Sequence, residues 1–177
     1  MYDRGIKRII DLILSVIIFL ILLPVFIIII FAIKIDSKGP VFFKQKRVGK
    51  GKSYFEILKF RTMYIDTPKD MPTHLLENPE AFITKVGKFL RKTSLDELPQ
   101  LFNVLIGEMS IIGPRASEWN SLNDYLPEEL DKMKVKPGIT GYTQAYYRNS
   151  LSLRDKRKYD VWYANNMGFL LDTKIFF

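Results

Sequence analysis

A long apolar stretch near the N-terminus dominates the hydrophobic pattern of the chain. The 22 residues from Leu12 to Ile33 contain no charged side chain. As a straight helix they would extend about 33 Å, close to the thickness of the apolar core of a bilayer. The pattern therefore predicts a membrane helix. The stretch is longer than a typical signal-peptide core and no small-x-small cleavage site follows it, so we expect it to be retained.

Basic residues flank this stretch on both sides. The cations before it are Arg4, Lys7 and Arg8, and those after it are Lys34, Lys38, Lys44, Lys46 and Arg47. Lysine and arginine concentrate on the cytoplasmic side of membrane helices, so both flanks are typical of the cytoplasm. Pro24 removes one backbone hydrogen bond near the middle of the helix and kinks it. These features favour a re-entrant helix that enters and leaves by one leaflet; a kinked spanning helix is the alternative.

The rest of the chain contains short β-prone and helical runs. Residues 41–45 and 54–60 flank a glycine- and lysine-rich turn, which predicts a β-hairpin. Lys59 and Arg61 would share one face of its second strand, and from the sequence a solvated strand face and a functional role are equally open for them. The predicted helices cover residues 81–91, a segment ending at 106, residues 118–134 with a break at Pro127, and the basic, aromatic segment 151–165. Residues 66–80, 110–115 and 136–141 are predicted to be loops or turns.

Two adjacent carboxylates, Asp96 and Glu97, lie where the second of these helices begins. Ser94 and Glu97 have the spacing of a capping box, which would place Asp96 in the first helical turn. Pro99 fits better if the helix begins near Leu98. Acidic residues in a first turn are common helix stabilisers, so the pair alone does not establish a site.

The chain is basic, with 27 Lys plus Arg against 19 Asp plus Glu and a net charge of +8. This balance suits nucleic acid, an anionic membrane or a phosphorylated substrate. The cations are spread over membrane flanks and turns, which argues against nucleic acid. The absence of cysteine excludes disulfides and thiolate chemistry, and the single histidine, His74, is predicted to be a loop residue instead of a catalyst.

Carboxylates near many cations suit phosphoryl transfer. The reaction needs neutralisation of the phosphate oxygens and a nucleophile held in line. A carboxylate can be that nucleophile. Carboxylate oxygens such as those of Asp96 or Glu97 also suit Mg²⁺, whose remaining positions would be taken by water and a diphosphate.

Five blocks of the sequence resemble the bacterial sugar transferases known as small monotopic phosphoglycosyl transferases. They are Lys59-Phe-Arg-Thr-Met63, Ser94-Leu-Asp-Glu-Leu-Pro-Gln-Leu-Phe-Asn-Val-Leu105, Met109-Ser-Ile-Ile-Gly-Pro-Arg115, Lys136-Pro-Gly-Ile-Thr-Gly141 with Gln144, and Leu171-Asp-Thr-Lys-Ile175. The blocks occur in the order of the family and extend over nearly the whole chain.

The resemblance implies transfer of a phosphosugar from a nucleotide diphosphate sugar, with UDP the expected nucleotide, to polyprenol phosphate. Asp96 would attack the sugar-bearing phosphate and form a covalent intermediate, and Glu97 would assist by placing Mg²⁺ or handling a proton. Lys59, Arg91, Arg115 and Arg148 are the implied phosphate clamps, and Asp172 would hold one of those cations in place.

The expected fold is α+β: a mostly helical, membrane-associated domain with a re-entrant helix, a small β-hairpin and interfacial amphipathic helices. Residues 1–36 would form the membrane helix and residues 37–177 a cytoplasmic catalytic domain. The expected location is the cytoplasmic face of the bacterial inner membrane, where lipids are further partners and a homo-oligomer is an option. The alternative function is a non-catalytic, membrane-anchored module that binds anionic lipid or a protein.

Overall fold

The computed structural model describes residues 2–67, 78–148 and 150–177. His74 and most of the loop predicted at residues 66–80 lie outside these ranges. The described residues form a mixed structure of helices and two small sheets, in which helix predominates, and this confirms the coarse α+β prediction.

The chain folds into two compact units. Unit 1 comprises Met1–Phe19, Gln45–Ile57 and Gln100–Phe177, and unit 2 comprises Leu20–Lys44 and Leu58–Pro99. The division into a membrane helix and a catalytic domain at residue 36 stays a prediction.

The long apolar stretch is helical, as predicted. Helix α1 covers Lys7–Asp36, follows a short π-helical segment, Tyr2–Ile6, and contains Pro24. Within the described residues it is the one helix long and apolar enough to cross a membrane. Many of its isoleucine and leucine side chains are exposed, so the helix presents a large apolar surface.

A buried polar stripe lies on the first part of α1, within unit 1. Lys7, Asp11 and Ser15 are all buried, and their spacing of four places them on one face of the helix. The carboxylate of Asp11 accepts hydrogen bonds from the hydroxyl of Ser110 at 3.0 Å and from the backbone N–H of Ile111 at 3.1 Å. Polar contacts therefore fasten the start of this apolar helix to the rest of unit 1.

The predicted hairpin is present. Strands β1, Phe42–Val48, and β2, Tyr54–Phe60, pair as a two-stranded sheet. Immediately after β2, the guanidinium of Arg61 is buried and donates to the carbonyl oxygens of Pro40, at 2.6 Å, and Ser37, at 3.0 Å. The solvated-face explanation is therefore wrong for Arg61, because its charge is used to tie together backbone segments of unit 2.

Helix α2 covers Lys85–Thr93 and begins later than predicted, since Pro79–Phe82 forms a separate 3-10 turn. The hydroxyl of Thr84 caps α2 by accepting from the N–H of Gly87 at 2.9 Å. Ser94 ends this helix in a left-handed conformation, with φ of 58°. The capping box predicted at Ser94 is wrong, because the side chain of Ser94 makes no capping hydrogen bond.

Helix α3 covers Gln100–Ile106 and begins directly after Pro99, which agrees better with the alternative start near Leu98. It stops before Gly107, as predicted, where φ is +96°. The guanidinium of Arg8 donates to the carbonyl oxygens of Val104 and Leu105 and so caps the C-terminal end of α3.

The segments predicted as turns at residues 110–115 and 136–141 contain two short strands. Strands β3, Ser110–Ile112, and β4, Gly138–Thr140, pair in parallel, with Ser110 opposite Gly138. A Cβ atom at Gly138 would lie 2.1 Å from the backbone nitrogen of Gly113, so only glycine permits this close approach.

Unit 1 closes with helices α4, Tyr142–Tyr146, α5, Leu153–Asn166, and α6, Phe169–Phe176. Before them come two 3-10 segments, Trp119–Asp124 and Pro127–Lys134, and Pro127 begins the second. The predicted break is therefore confirmed, although the helix type differs. Tyr163 on α5 is buried in the same core cluster as Val104 and Met109, whereas Trp162 is exposed. Helix α5 thus packs one aromatic residue in the core and presents another at the surface.

Candidate active site

The two neighbouring carboxylates lie on a short connection between α2 and α3. Leu95–Glu97 forms a single 3-10 turn, and the left-handed Ser94 before it redirects the chain out of α2. Asp96 and Glu97 are both half-buried. The turn therefore holds two adjacent acids at the surface of unit 2, where a substrate can reach them.

Lys59, at the end of β2, pairs with the second of these acids. Its Nζ lies 2.7 Å from Oε1 of Glu97, and the two side chains are 18% and 17% exposed. Among the described residues, the carboxylate of Asp96 takes part in no ion pair. Asp96 is therefore the acid that a phosphorus atom could approach without first displacing a lysine.

The pKa of Asp96 is raised above its ordinary value. Burial is the largest cause and the charge of Glu97 adds to it, while Lys59 and Arg91 act in the opposite direction. A partly desolvated carboxylate is a stronger nucleophile and base than one in water, because less hydration has to be removed before it reacts.

Arg91 approaches the same acid from the last turn of α2. Its Nε donates to the hydroxyl of Thr62 at 2.9 Å. Within the described residues its two terminal nitrogens make no hydrogen bond or ion pair. Burial lowers the pKa of Arg91 and Asp96 partly restores it, but an arginine stays charged at every physiological pH. Two donors with fixed direction thus remain available beside Asp96 for an anion.

Asp96 and Glu97 could bind a magnesium ion only if a substrate supplied further ligands. No group of three or more His, Cys, Asp or Glu side chains suitable for a metal occurs in the described ranges. Mg²⁺ commonly takes one or two carboxylates and completes its octahedron with phosphate oxygens and water. Asp96 and Glu97 supply that number of protein ligands.

Two further predicted phosphate ligands, Arg115 and Arg148, belong to unit 1. Arg115 is exposed and follows β3, and its carbonyl oxygen accepts from Nζ of Lys132 at 3.2 Å. Arg148 is exposed and has a φ of 46°, which is uncommon for a residue with a side chain. Their roles stay predictions.

Asp172, also in unit 1, pairs with Lys7, which is not one of the predicted phosphate-binding cations. The buried carboxylate pairs with Lys7 of α1 and accepts from the hydroxyls of Tyr2, at 2.7 Å, and Tyr163, at 2.6 Å. Burial and the carboxylate raise the pKa of Tyr163, which therefore remains a hydrogen-bond donor. The one signal in the sequence was the spacing of Lys7, Asp11 and Ser15 at the start of an otherwise apolar helix.

A second buried network of unit 1 was also missed. Nζ of Lys132 donates to Asp160 at 2.8 Å, and the other oxygen of Asp160 accepts from Thr143 at 3.1 Å. Arg157, on the same helix as Asp160, pairs with the buried Glu129 at 3.0 Å. These pairs join residues 17 to 28 positions apart, a distance at which the sequence gives no periodic signal.

Comparison of the sequence with known proteins identifies a family. Residues 2–177 match the family model for bacterial sugar transferases. The chain is 40% identical over 169 residues to an uncharacterized sugar transferase, EpsL, of Bacillus subtilis, and the alignment covers 96% of this chain and 82% of the relative.

Longer relatives match as well. The chain is 40% identical to a UDP-glucose:undecaprenyl-phosphate glucose-1-phosphate transferase of Klebsiella pneumoniae and 35% identical to an undecaprenyl-phosphate galactose phosphotransferase of Salmonella typhimurium. The alignments cover 97% and 99% of this chain but only 38% and 40% of those proteins. Because the family model covers residues 2–177 and the alignment with EpsL covers 96% of the chain, the chain belongs to the bacterial sugar transferase family.

Proposed function

We propose that this protein transfers a phosphosugar from a UDP-sugar to polyprenol phosphate and releases UMP. The observation that carries the proposal is the arrangement at Asp96. This partly desolvated carboxylate has no ion pair among the described residues, and Lys59 pairs with Glu97. The two terminal nitrogens of the nearby Arg91 make no hydrogen bond or ion pair in the described ranges. A nucleophile beside fixed cations is what phosphoryl transfer requires.

The proposed reaction has two displacements at one phosphorus atom. In the first, an oxygen of Asp96 forms a bond to the sugar-bearing phosphorus, and the bond from that phosphorus to the bridging oxygen breaks. UMP leaves with the electron pair. In the second, an oxygen of polyprenol phosphate attacks the same phosphorus and the carboxylate of Asp96 is released. The product is a polyprenol diphosphate sugar, the first membrane-bound intermediate of a glycoconjugate.

Basic side chains of the protein neutralise the negative charge of the phosphate oxygens in both steps. Arg91 binds equatorial phosphate oxygens through its terminal nitrogens, and Lys59 supplies a second positive charge beside the two acids. Glu97 accepts a proton from the incoming polyprenol phosphate when that group arrives protonated. Arg115 and Arg148 are the further phosphate ligands of the proposal.

Asp96 and Glu97 would hold Mg²⁺ when it binds, and the ion would supply additional charge neutralisation at the diphosphate. The choice of UDP is supported by the relative from Klebsiella pneumoniae, a UDP-glucose transferase. The choice of an undecaprenyl carrier is supported by this relative and by the one from Salmonella typhimurium. These relatives include both a glucose and a galactose transferase, so the sugar is left to experiment.

We propose that α1 is re-entrant and that the protein acts at the cytoplasmic face of the inner membrane. At the start of α1, Asp11 is bonded to Ser110 and Ile111 of unit 1. At its end, Asp36 accepts from the backbone N–H of Val86 in unit 2 at 3.0 Å.

The chain passes between the two units several times, and α1 is the one membrane-length helix in the described residues. Lysine and arginine lie on both flanks of α1, which is expected when both ends of the helix are on the cytoplasmic face. Pro24 supports this by weakening the helix near its middle.

Helix α6 is proposed to lie in the membrane interface. Phe169 and Leu170 are 56% and 75% exposed, and the ring of Phe169 packs edge-on against Tyr2, next to the start of α1. Exposed aromatic and aliphatic side chains beside an apolar helix suit the boundary between headgroups and acyl chains.

The test is to incubate the purified protein in nanodiscs with Mg²⁺, undecaprenyl phosphate and a panel of nucleotide diphosphate sugars, and to measure nucleoside monophosphate release. Acid-quenched protein should carry the radiolabelled phosphosugar from the productive donor. Asp96→Asn should lose both product and label. Lys134→Met, which changes an exposed pair with Asp131, is the matched control and should behave as wild type.

Normal turnover by Asp96→Asn would disprove the covalent mechanism. Failure of every donor to react would instead favour a membrane-anchored binding module, whose affinity for anionic vesicles should follow total charge and ignore the identity of Asp96 and Glu97.

A further inference from the structure

Thr62 lies at the junction between the end of β2 and helix α2, within unit 2. Its carbonyl oxygen accepts from the backbone N–H of Thr84, the residue that caps α2, at 3.0 Å. On the next residue, Met63 forms an antiparallel bridge with Ile83. The backbone of Thr62 is thus fixed against the segment that leads into α2.

The contact continues one turn along the helix at Gly87. A Cβ atom on Gly87 would lie 2.0 Å from the carbonyl oxygen of Thr62, so the two backbones touch and no larger residue fits without moving the helix. Thr84, Gly87 and Arg91 are three and four residues apart and therefore share one face of α2. That face is directed at Thr62.

The side chain of Thr62 completes the set by reaching Arg91. Its hydroxyl accepts from Nε at 2.9 Å, on the edge of the guanidinium that is not needed for a two-pronged contact through the terminal nitrogens, and Thr62 is itself buried. An arginine side chain has several rotatable bonds, and fixing one edge of its planar group sets the direction of the other.

We propose that Thr62 is a positioning residue: its hydroxyl orients the guanidinium of Arg91 so that both terminal nitrogens face the diphosphate of the sugar donor beside Asp96. The inference rests on the proposed function and adds a residue to it. It explains why a buried threonine bonds an arginine whose side chain makes no other hydrogen bond or ion pair among the described residues.

Thr62→Val tests this directly, because valine has the shape of threonine without the hydroxyl. We expect kcat/KM for the productive UDP-sugar, tested first with UDP-glucose, to fall about tenfold or more, as for loss of a hydrogen bond to a charged group. Thr62→Ser keeps the hydroxyl and should recover most of that loss. Thr67→Val is the matched control and should behave as wild type. Its exposed hydroxyl donates to the carbonyl oxygen of Tyr64 and makes no other hydrogen bond among the described residues.

A double-mutant cycle separates positioning from a general structural effect. In an Arg91→Met background, Thr62→Val should cause no further loss of kcat/KM, because the group it orients is gone. A loss of the same size in both backgrounds, or a Thr62→Val variant as active as wild type, would overturn the inference.

Titration with inorganic pyrophosphate provides a measurement that does not depend on turnover. Thr62→Val should bind pyrophosphate about tenfold more weakly than wild type and Thr62→Ser should not. Equal affinity of wild type and Thr62→Val would overturn the inference even in an active enzyme. If wild type binds pyrophosphate in this manner yet releases no nucleoside monophosphate from any donor, the proposed transferase function fails and the role of Thr62 stands.

Discussion

Nζ of Lys59 lies 2.7 Å from Oε1 of Glu97, so the lysine at the end of β2 is held by the second acid of the pair and not by the first. This arrangement divides the two neighbouring carboxylates into different roles. Glu97 fixes a cation, and Asp96 lies next to that cation with its own oxygens outside any ion pair in the described part of the chain.

Replacing Lys59 should therefore impair catalysis through both acids. Lys59→Met removes the ion pair with Glu97 and takes positive charge away from the place where phosphate is proposed to bind. We expect the initial rate of nucleoside monophosphate release to fall about tenfold or more. Lys59→Arg keeps the charge and should retain more activity than Lys59→Met, and equal rates for Lys59→Met and wild type would show that the pair has no catalytic role.

The pair formed by Lys7 and Asp172 should contribute to stability. Both side chains are buried, at 8% and 7% exposure, so Lys7→Met would leave a buried carboxylate with only tyrosine donors. The expected cost is about 3 kcal/mol in free energy of unfolding, measured by denaturant titration in detergent micelles. Lys7→Met combined with Asp172→Asn should be more stable than Lys7→Met alone, and additive losses would contradict the coupling.

Glu129 should make stability depend on pH in the acid range. Although desolvation would raise the pKa of Glu129, the N–H of Leu126 and the guanidinium of Arg157 together hold it below the ordinary value of 4.5. A group with a lowered folded pKa stabilises the protein above its unfolded pKa and loses this effect as pH falls through the folded value. The advantage of wild type over Glu129→Gln in melting temperature should thus be full near pH 6 and shrink below about pH 4.5.

Glu80→Gln is the matched control for this measurement. Glu80 pairs with Lys88 at the surface, where both side chains are 74% exposed, and an exposed pair contributes little. Its melting curve should follow that of wild type over the whole range. A difference between wild type and Glu129→Gln that stayed constant with pH would rule out the linkage.

The topology of α1 is open to cysteine labelling, because the natural chain contains no cysteine. Gly5 precedes the helix and has open space around it, and Lys38 follows the helix and is exposed. Gly5→Cys and Lys38→Cys should both react with an impermeant maleimide in inverted vesicles and be protected in intact spheroplasts. Labelling of Gly5→Cys from outside the cell would establish a spanning helix.

Local patterns allowed most of the helices and the hairpin to be predicted. The apolar run of α1, the β-prone runs around residues 49–51, the stop at Gly107 and the break at Pro127 all depend on neighbours in sequence. The strands β3 and β4 were missed because each has three residues and finds its partner about 28 positions away, where turn-forming glycines and prolines dominate the local signal.

The candidate site was predicted only in part, because some of its contacts join residues that are far apart in sequence. Asp96, Glu97 and Lys59 were named, but the pairing of Lys59 with Glu97 depends on a tertiary contact that no spacing encodes. Ser94 was assigned to the start of a helix because the capping-box spacing matched, whereas the Pro99 ring and the left-handed Ser94 decide where α2 ends and α3 begins.

The polar stripe of α1 affects the order in which parts of the protein can fold. Lys7, Asp11 and Ser15 leave the ribosome early, while the backbone partner of Asp11 is made 100 residues later and the partner of Lys7 is made 165 residues later. Until then these groups must stay hydrated, because a bare charge is excluded from the hydrocarbon layer. If α1 enters the membrane as proposed, its first turns are expected to stay in the headgroup region during synthesis. The buried network around Lys7 can form only after Asp172 has been made.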